Sequence, residues 1–116
     1  GRTMAAFSKD AGRTFSAPVR VDETGSLGRV DAELLADGSG IVSWIVTTDK
    51  GTEFRAPRIE SNGTRSAPLT ISELAGSRAS GYPRMGTFGD QLVLAWTDTA
   101  NGVSQVQTAF TRLPSR

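Results

Sequence analysis

Short runs of β-branched and aromatic residues, separated every eight to twelve positions by Gly, Asp, Asn or Ser, set the rhythm of this chain. That spacing predicts an antiparallel all-β fold. The expected strands cover 3–8, 18–22, 30–36, 41–47, 52–60, 68–71, 83–88, 92–97 and 103–111. The Gly and Pro placement leaves no window for a long helix, and only 71–75 suits one short turn. Two strands, Ile41-Val42-Ser43-Trp44-Ile45-Val46 and Leu92-Val93-Leu94-Ala95-Trp96, are apolar at nearly every position. Strands of that kind are covered on both faces. Each follows a tight hairpin, Asp37-Gly38-Ser39-Gly40 or Gly89-Asp90, where Gly supplies positive φ.

The same pattern returns along the chain. Trp44 recurs as Trp96, 52 residues later, and Ser16-Ala17-Pro18-Val19-Arg20-Val21 recurs as Ser66-Ala67-Pro68-Leu69-Thr70-Ile71, 50 residues on. Phe7, Ile59 and Phe110 mark one strand three times. A period near fifty, with four strands per unit, fits the blade of a β-propeller better than ankyrin, tetratricopeptide or leucine-rich units. By that count residues 1–22 end one blade, 29–72 form a full blade, and 82–112 give three strands of a further one.

Composition narrows the chemistry. The 116 residues include no Cys and no His, which removes zinc, haem and iron–sulfur sites, a Ser-His-Asp triad and a Cys nucleophile. Disulfides are likewise impossible, so redox compartment is unreadable. Thirteen Lys and Arg against twelve Asp and Glu give a net charge of +1, spread without a basic cluster that would point to nucleic acid. The longest apolar run, 41–46, is far too short for a membrane span. Nothing at the start resembles a signal peptide, and the first residue is Gly.

Ser8-Lys9-Asp10-Ala11-Gly12-Arg13-Thr14-Phe15 resembles the Asp box, or BNR repeat, of sialidases and related β-propellers: Ser-x-Asp-x-Gly-x-Thr and then an aromatic. Ser8, Asp10, Gly12, Thr14 and Phe15 fill all five patterned positions. Locally, the Asp carboxylate accepts turn N–H groups, Gly takes a φ other residues avoid, and the aromatic is expected to plug against the sheet. A second copy, Ser61-Asn62-Gly63-Thr64-Arg65, has Asn for Asp, one residue fewer and no aromatic. Asp10 reads as a structural residue ahead of a catalytic acid or a calcium ligand, since no second oxygen ligand stands at loop spacing. Asn62-Gly63-Thr64 also fits a glycosylation acceptor, a short and common pattern.

A wider similarity runs through 27–31, 40–44, 76–85, 89–90 and 95–98, and is to the C-terminal part of bacterial sialidase-like, Asp-box proteins. It implies four-stranded antiparallel blades of a six-bladed parent propeller, of which about two blades are present. It implies an exported or periplasmic setting, and by itself no sialidase activity. In such propellers ligands bind at the face opposite the Asp boxes, around the central channel. The resemblance therefore marks Arg29 and Asp31 on one inner-strand approach, Arg78, Tyr82 and Arg84 on the next, and Asp49, Lys50 and Asp98 on the loops after second strands.

Setting the repeats together with one extra residue in the first hairpin puts Asp31 opposite Arg84. An inward pair of this kind suits either a polar ligand or a salt bridge in a wet channel. Sialidases grip the substrate carboxylate with arginines and use a Tyr nucleophile, and Arg suits a carboxylate because its planar fork donates two parallel bonds. The lone Tyr, Tyr82, sits in Ser80-Gly81-Tyr82-Pro83 without a Glu motif nearby, and a rim or packing role fits it. No catalytic residue, metal or cofactor is assigned. Three readings remain: a non-catalytic propeller segment that is structural or carbohydrate-binding; a sialidase-like glycoside hydrolase completed by oligomerisation or missing sequence; and an interaction module that pairs with itself through open blade edges.

Overall fold

The computed structural model describes residues 1–23, 25–26, 28–49, 51–67, 69–72, 83–98 and 102–114. Among these residues it is all-β, without an α-helix, and every strand pairing is antiparallel. β1 (Met4–Ala5) and β2 (Val19–Arg20) form a first sheet. β3 (Asp31–Leu34), β4 (Gly40–Thr48), β5 (Gly51–Ala56), β6 (Arg58–Ile59) and β7 (Leu69–Ser72) form a second. β8 (Arg84–Phe88), β9 (Gln91–Asp98) and β10 (Gln105–Arg112) form a third, with β9 at its centre. None of these sheets closes on itself among the described residues.

Local chemistry sets the strand ends. At the β3–β4 hairpin Gly38 has φ +87°, and Asp37 Oδ1 accepts the Ser39 amide at 3.0 Å and its hydroxyl at 2.5 Å. This Asx turn lets Leu35 N donate to Ser39 O at 2.8 Å and close the loop. The strand expected over 52–60 divides into β5 and β6 at Pro57, which has no N–H to give the ladder. Register is unbroken across it: β4 pairs Trp44 with Arg55 and Ile41 with Arg58. The strands expected at 3–8 and 18–22 shrink to two residues each. Of the short turn expected at 71–75, Ile71 and Ser72 belong instead to β7 and the rest lies outside the described residues.

The repeat seen in the sequence is also a repeat of register. Trp44 faces Arg55 across the ladder as Trp96 faces Gln107, and Asp31 faces Ser43 as Arg84 faces Ala95. Met4↔Arg20 and Ala5↔Val19 in the first sheet match Arg55↔Thr70 and Ala56↔Leu69 in the second. Both Ser-Ala-Pro copies make the same bonds. Ser16 N donates to Phe7 O at 2.7 Å while its hydroxyl accepts the Phe7 amide at 3.0 Å; Ser66 does both with Arg58, each at 2.9 Å. The counterpart of Phe7 is therefore Arg58, and the sequence alignment with Ile59 was off by one residue. The shorter second turn conceals the shift.

Alternation along β4 splits the core into two layers. Ile41 and Ile45 join Leu35, Phe54 and Ala56 against Met85, Leu92 and Leu94 of the third sheet. Trp44 and Val46 join Ile59 and Val21, with Ala5 and Val19 of the first sheet and Phe7, just after β1, alongside. The second sheet is thus packed on both faces, as its continuous apolar strand required. Phe54, Ile41, Ile59, Leu92 and Leu94 are fully buried, each stabilising by roughly 1.5–3 kcal/mol over an exposed position.

Candidate functional site

The turn between β1 and β2 is built around one carboxylate. Asp10 Oδ1 accepts the Ser8 hydroxyl at 2.8 Å and the Thr14 amide at 2.9 Å, while Oδ2 accepts the Thr14 hydroxyl at 2.5 Å. Ser8 Oγ in turn accepts the Gly12 amide at 2.8 Å. Ala11 at φ +59° and Gly12 at φ +84° turn the chain so that these donors converge. Hydrogen bonds from the Thr14 hydroxyl and amide, then from Ser8, lower the Asp10 pKa from 3.8 to about 2. A carboxylate so satisfied holds a turn and is poorly suited to proton transfer. Phe15 does not plug the sheet as expected: it is 63% exposed. In the degenerate copy only Asn62 Oδ1, accepting the Thr64 amide at 2.9 Å, keeps part of this scheme.

Of the charged residues singled out on the inner approaches, Asp31 and Arg84 meet at the start of the first strands of the second and third sheets. Asp31 Oδ2 accepts the Met85 amide at 2.9 Å and lies 3.6 Å from Arg84 Nε, and Oδ1 accepts the Ala32 amide at 2.9 Å. The Asp31 side chain is 17% exposed and that of Arg84 78%. One member of the pair is therefore fixed and the other reaches into solvent. Arg29 precedes them at φ +56°, a conformation that costs a residue with a side chain roughly 1–2 kcal/mol. Gly28, at φ +81°, extends the β3–β4 ladder by accepting the Ile45 amide at 3.3 Å.

Asp49 is exposed in the β4–β5 turn. Arg78, Tyr82 and Lys50 lie outside the described residues, and Asp98 is placed by its backbone at the end of β9. Two troughs, of about 830 and 730 Å³, run beside β1 along the flank of β3, sharing Ala5, Ala32 and Val42 in their walls. Among the described residues no group of three or more acidic side chains stands close enough to hold a metal ion, and no helix is long and apolar enough to cross a membrane.

Two charged clusters were not evident in the sequence. Arg58 donates to Ser39 Oγ at 3.0 Å and to the Pro114 carbonyl at 3.2 Å, and pairs with Asp37. It ties the β3–β4 hairpin to the segment after β10. Asp22, buried, pairs with Arg20 Nε at 2.9 Å. Burial pushes the Asp22 carboxyl up, but Arg20 and a backbone hydrogen bond from Thr3 outweigh it and hold the pKa below the usual value. The signal for Arg58 was a charged residue directly after Pro in a strand that alternates charged and apolar residues.

Comparison with protein-family models, with curated proteins and with solved structures finds no match to this chain.

Proposed function

We propose that this chain is a non-catalytic segment of a sialidase-like, Asp-box β-propeller, serving as a scaffold that presents a carbohydrate-binding edge at Asp31 and Arg84. The observation that carries this reading is the repetition of register from sheet to sheet, with successive sheets stacked face to face and their first strands joined through Asp31. Stacked sheets of this kind are how propeller blades meet. The fully bonded Asp box favours a structural part for Asp10. Arg84, held at its base by β8 and exposed at its tip, suits the carboxylate of an acidic sugar, while Asp31 suits hydroxyl groups. No described residue is given a catalytic role.

The test is capture of the purified chain on immobilised acidic glycans beside incubation with a fluorogenic sialoside. Capture that Arg84→Ala weakens, with no release of sugar, is expected. Release of sialic acid would instead make the chain a glycoside hydrolase.

A further inference from the structure

We propose that a second copy of this chain docks its third sheet onto the second sheet of the first, head to tail, with the incoming Phe110 taking the seat that Phe7 fills within a chain. This goes beyond the carbohydrate reading and does not depend on it.

The seat is specific. Phe7 lies over Gly40, where a Cβ would stand 3.7 Å from Phe7 Cε1 and 3.4 Å from the Glu33 carbonyl oxygen. Phe110 is the equivalent residue of the third sheet: it pairs with Val93 as Arg58 pairs with Ile41, and Arg58 is the counterpart of Phe7. Yet Phe110 is 69% exposed, and Phe88 and Val106, which share its face by register, are exposed with it. In the second sheet the position of Phe88 is held by Leu35, buried against the third sheet. The exposed face therefore repeats one that the chain already covers.

The surface that would cover it is also on the chain. Met85 and Leu94 of the third sheet are buried against the second, and their equivalents in the second sheet, Ala32 and Val42, line the troughs beside β1. Next to them Leu34 is 73% exposed. The proposed contact thus continues, at equivalent positions, an interface the chain makes internally. Charge agrees: the incoming Arg84 approaches Asp31 of the receiving copy, the same pair of signs as within a chain.

β10 and β1 are equivalent strands, so the incoming β10 displaces β1. β1 is joined to β2 by two residue pairs, whereas β10 keeps eight with β9. β2 then becomes the outer strand beside β10, an addition at a sheet edge. Such an interface is heterologous and extends beyond two copies unless it closes.

Size-exclusion chromatography with light scattering, over rising concentration of the full chain, tests this. Wild type is expected to form dimers and larger species, and Phe7→Ala, with the internal competitor weakened, to associate about tenfold more tightly, a difference of about 1.4 kcal/mol. Phe110→Asp and Leu34→Glu alter exposed positions at opposite ends; each alone stays a single chain, and their mixture gives dimers and nothing larger. Circular dichroism checks that each variant is folded. Wild type that remains one chain at every concentration overturns the proposal, as does association that survives either Phe110→Asp or Leu34→Glu.

Discussion

Asp31 on β3 accepts the backbone amide of Met85 on β8 at 2.9 Å, so a side chain of one sheet takes the place of a ladder partner for the next. The bond fixes the spacing of the two first strands, and the neighbouring Arg84, at 3.6 Å and mostly exposed, adds little to it. Asp31→Ala is therefore expected to lower stability by about 1–3 kcal/mol, because it leaves the Met85 amide without its charged acceptor. Arg84→Ala is expected to change stability by less than about 0.5 kcal/mol. Urea unfolding of the two variants checks the contrast.

Asp10 gives the stability of the chain a defined pH dependence. Its pKa is lowered from 3.8 to about 2 by the Thr14 and Ser8 hydrogen bonds. A lowered folded-state value means that its contribution is present in full above the unfolded pKa and is lost as pH falls from about 4 towards 2. Thermal melts across this range should show a steeper fall in wild type than in Asp10→Asn, which keeps the contribution of Asp22. Equal slopes in both proteins would remove the Asp10 bonds from the account.

Arg58 joins three parts of the structure through Asp37, Ser39 and the Pro114 carbonyl. Its side chain is largely buried while its ion-pair partner Asp37 stays solvated, so Arg58→Met is expected to destabilise by about 1–3 kcal/mol, through the hydrogen bonds lost to Ser39 and the Pro114 carbonyl. Arg58→Lys should recover little, since one ammonium cannot span the same acceptors. Chemical denaturation, with hydrogen exchange at the amides of 37–40, reads both effects.

Gly63 meets β2 at close range. It has φ +90°, and a Cβ there would stand 3.1 Å from Val19 Cγ1. Gly63→Ala is expected to cost about 1–2 kcal/mol from backbone strain alone, with further loss if Val19 is displaced. The melting temperature measures it.

What the sequence made legible follows what burial and turn chemistry impose. The apolar run at 41–46, broken only by Ser43, announced a strand packed on both faces, and β4 lies between two core layers. The antiparallel pairing followed from the spacing of turn residues between short β-branched runs, and the approach of Asp31 to Arg84 from the repeat aligned with one extra hairpin residue. Equivalence of Phe7 and Arg58 was hidden, because it lives in backbone bonds to Ser16 and Ser66 and not in side-chain type. Pro57 split a strand without shifting its register, which only pairing can reveal. Phe15 was misplaced since an aromatic after a turn carries no record of which way it points, and the structure leaves it exposed. Arg78 and Tyr82 lie outside the described residues.

The amide spectrum of isotope-labelled protein, followed by NMR as N-acetylneuraminic acid is added, tests the carbohydrate-binding edge most directly. Saturable shifts centred on Asp31, Ala32 and Met85, abolished by Arg84→Ala and accompanied by no hydrolysis of a sialoside, are expected. Shifts confined to other parts of the chain, or none at all, would contradict a binding edge at Asp31 and Arg84.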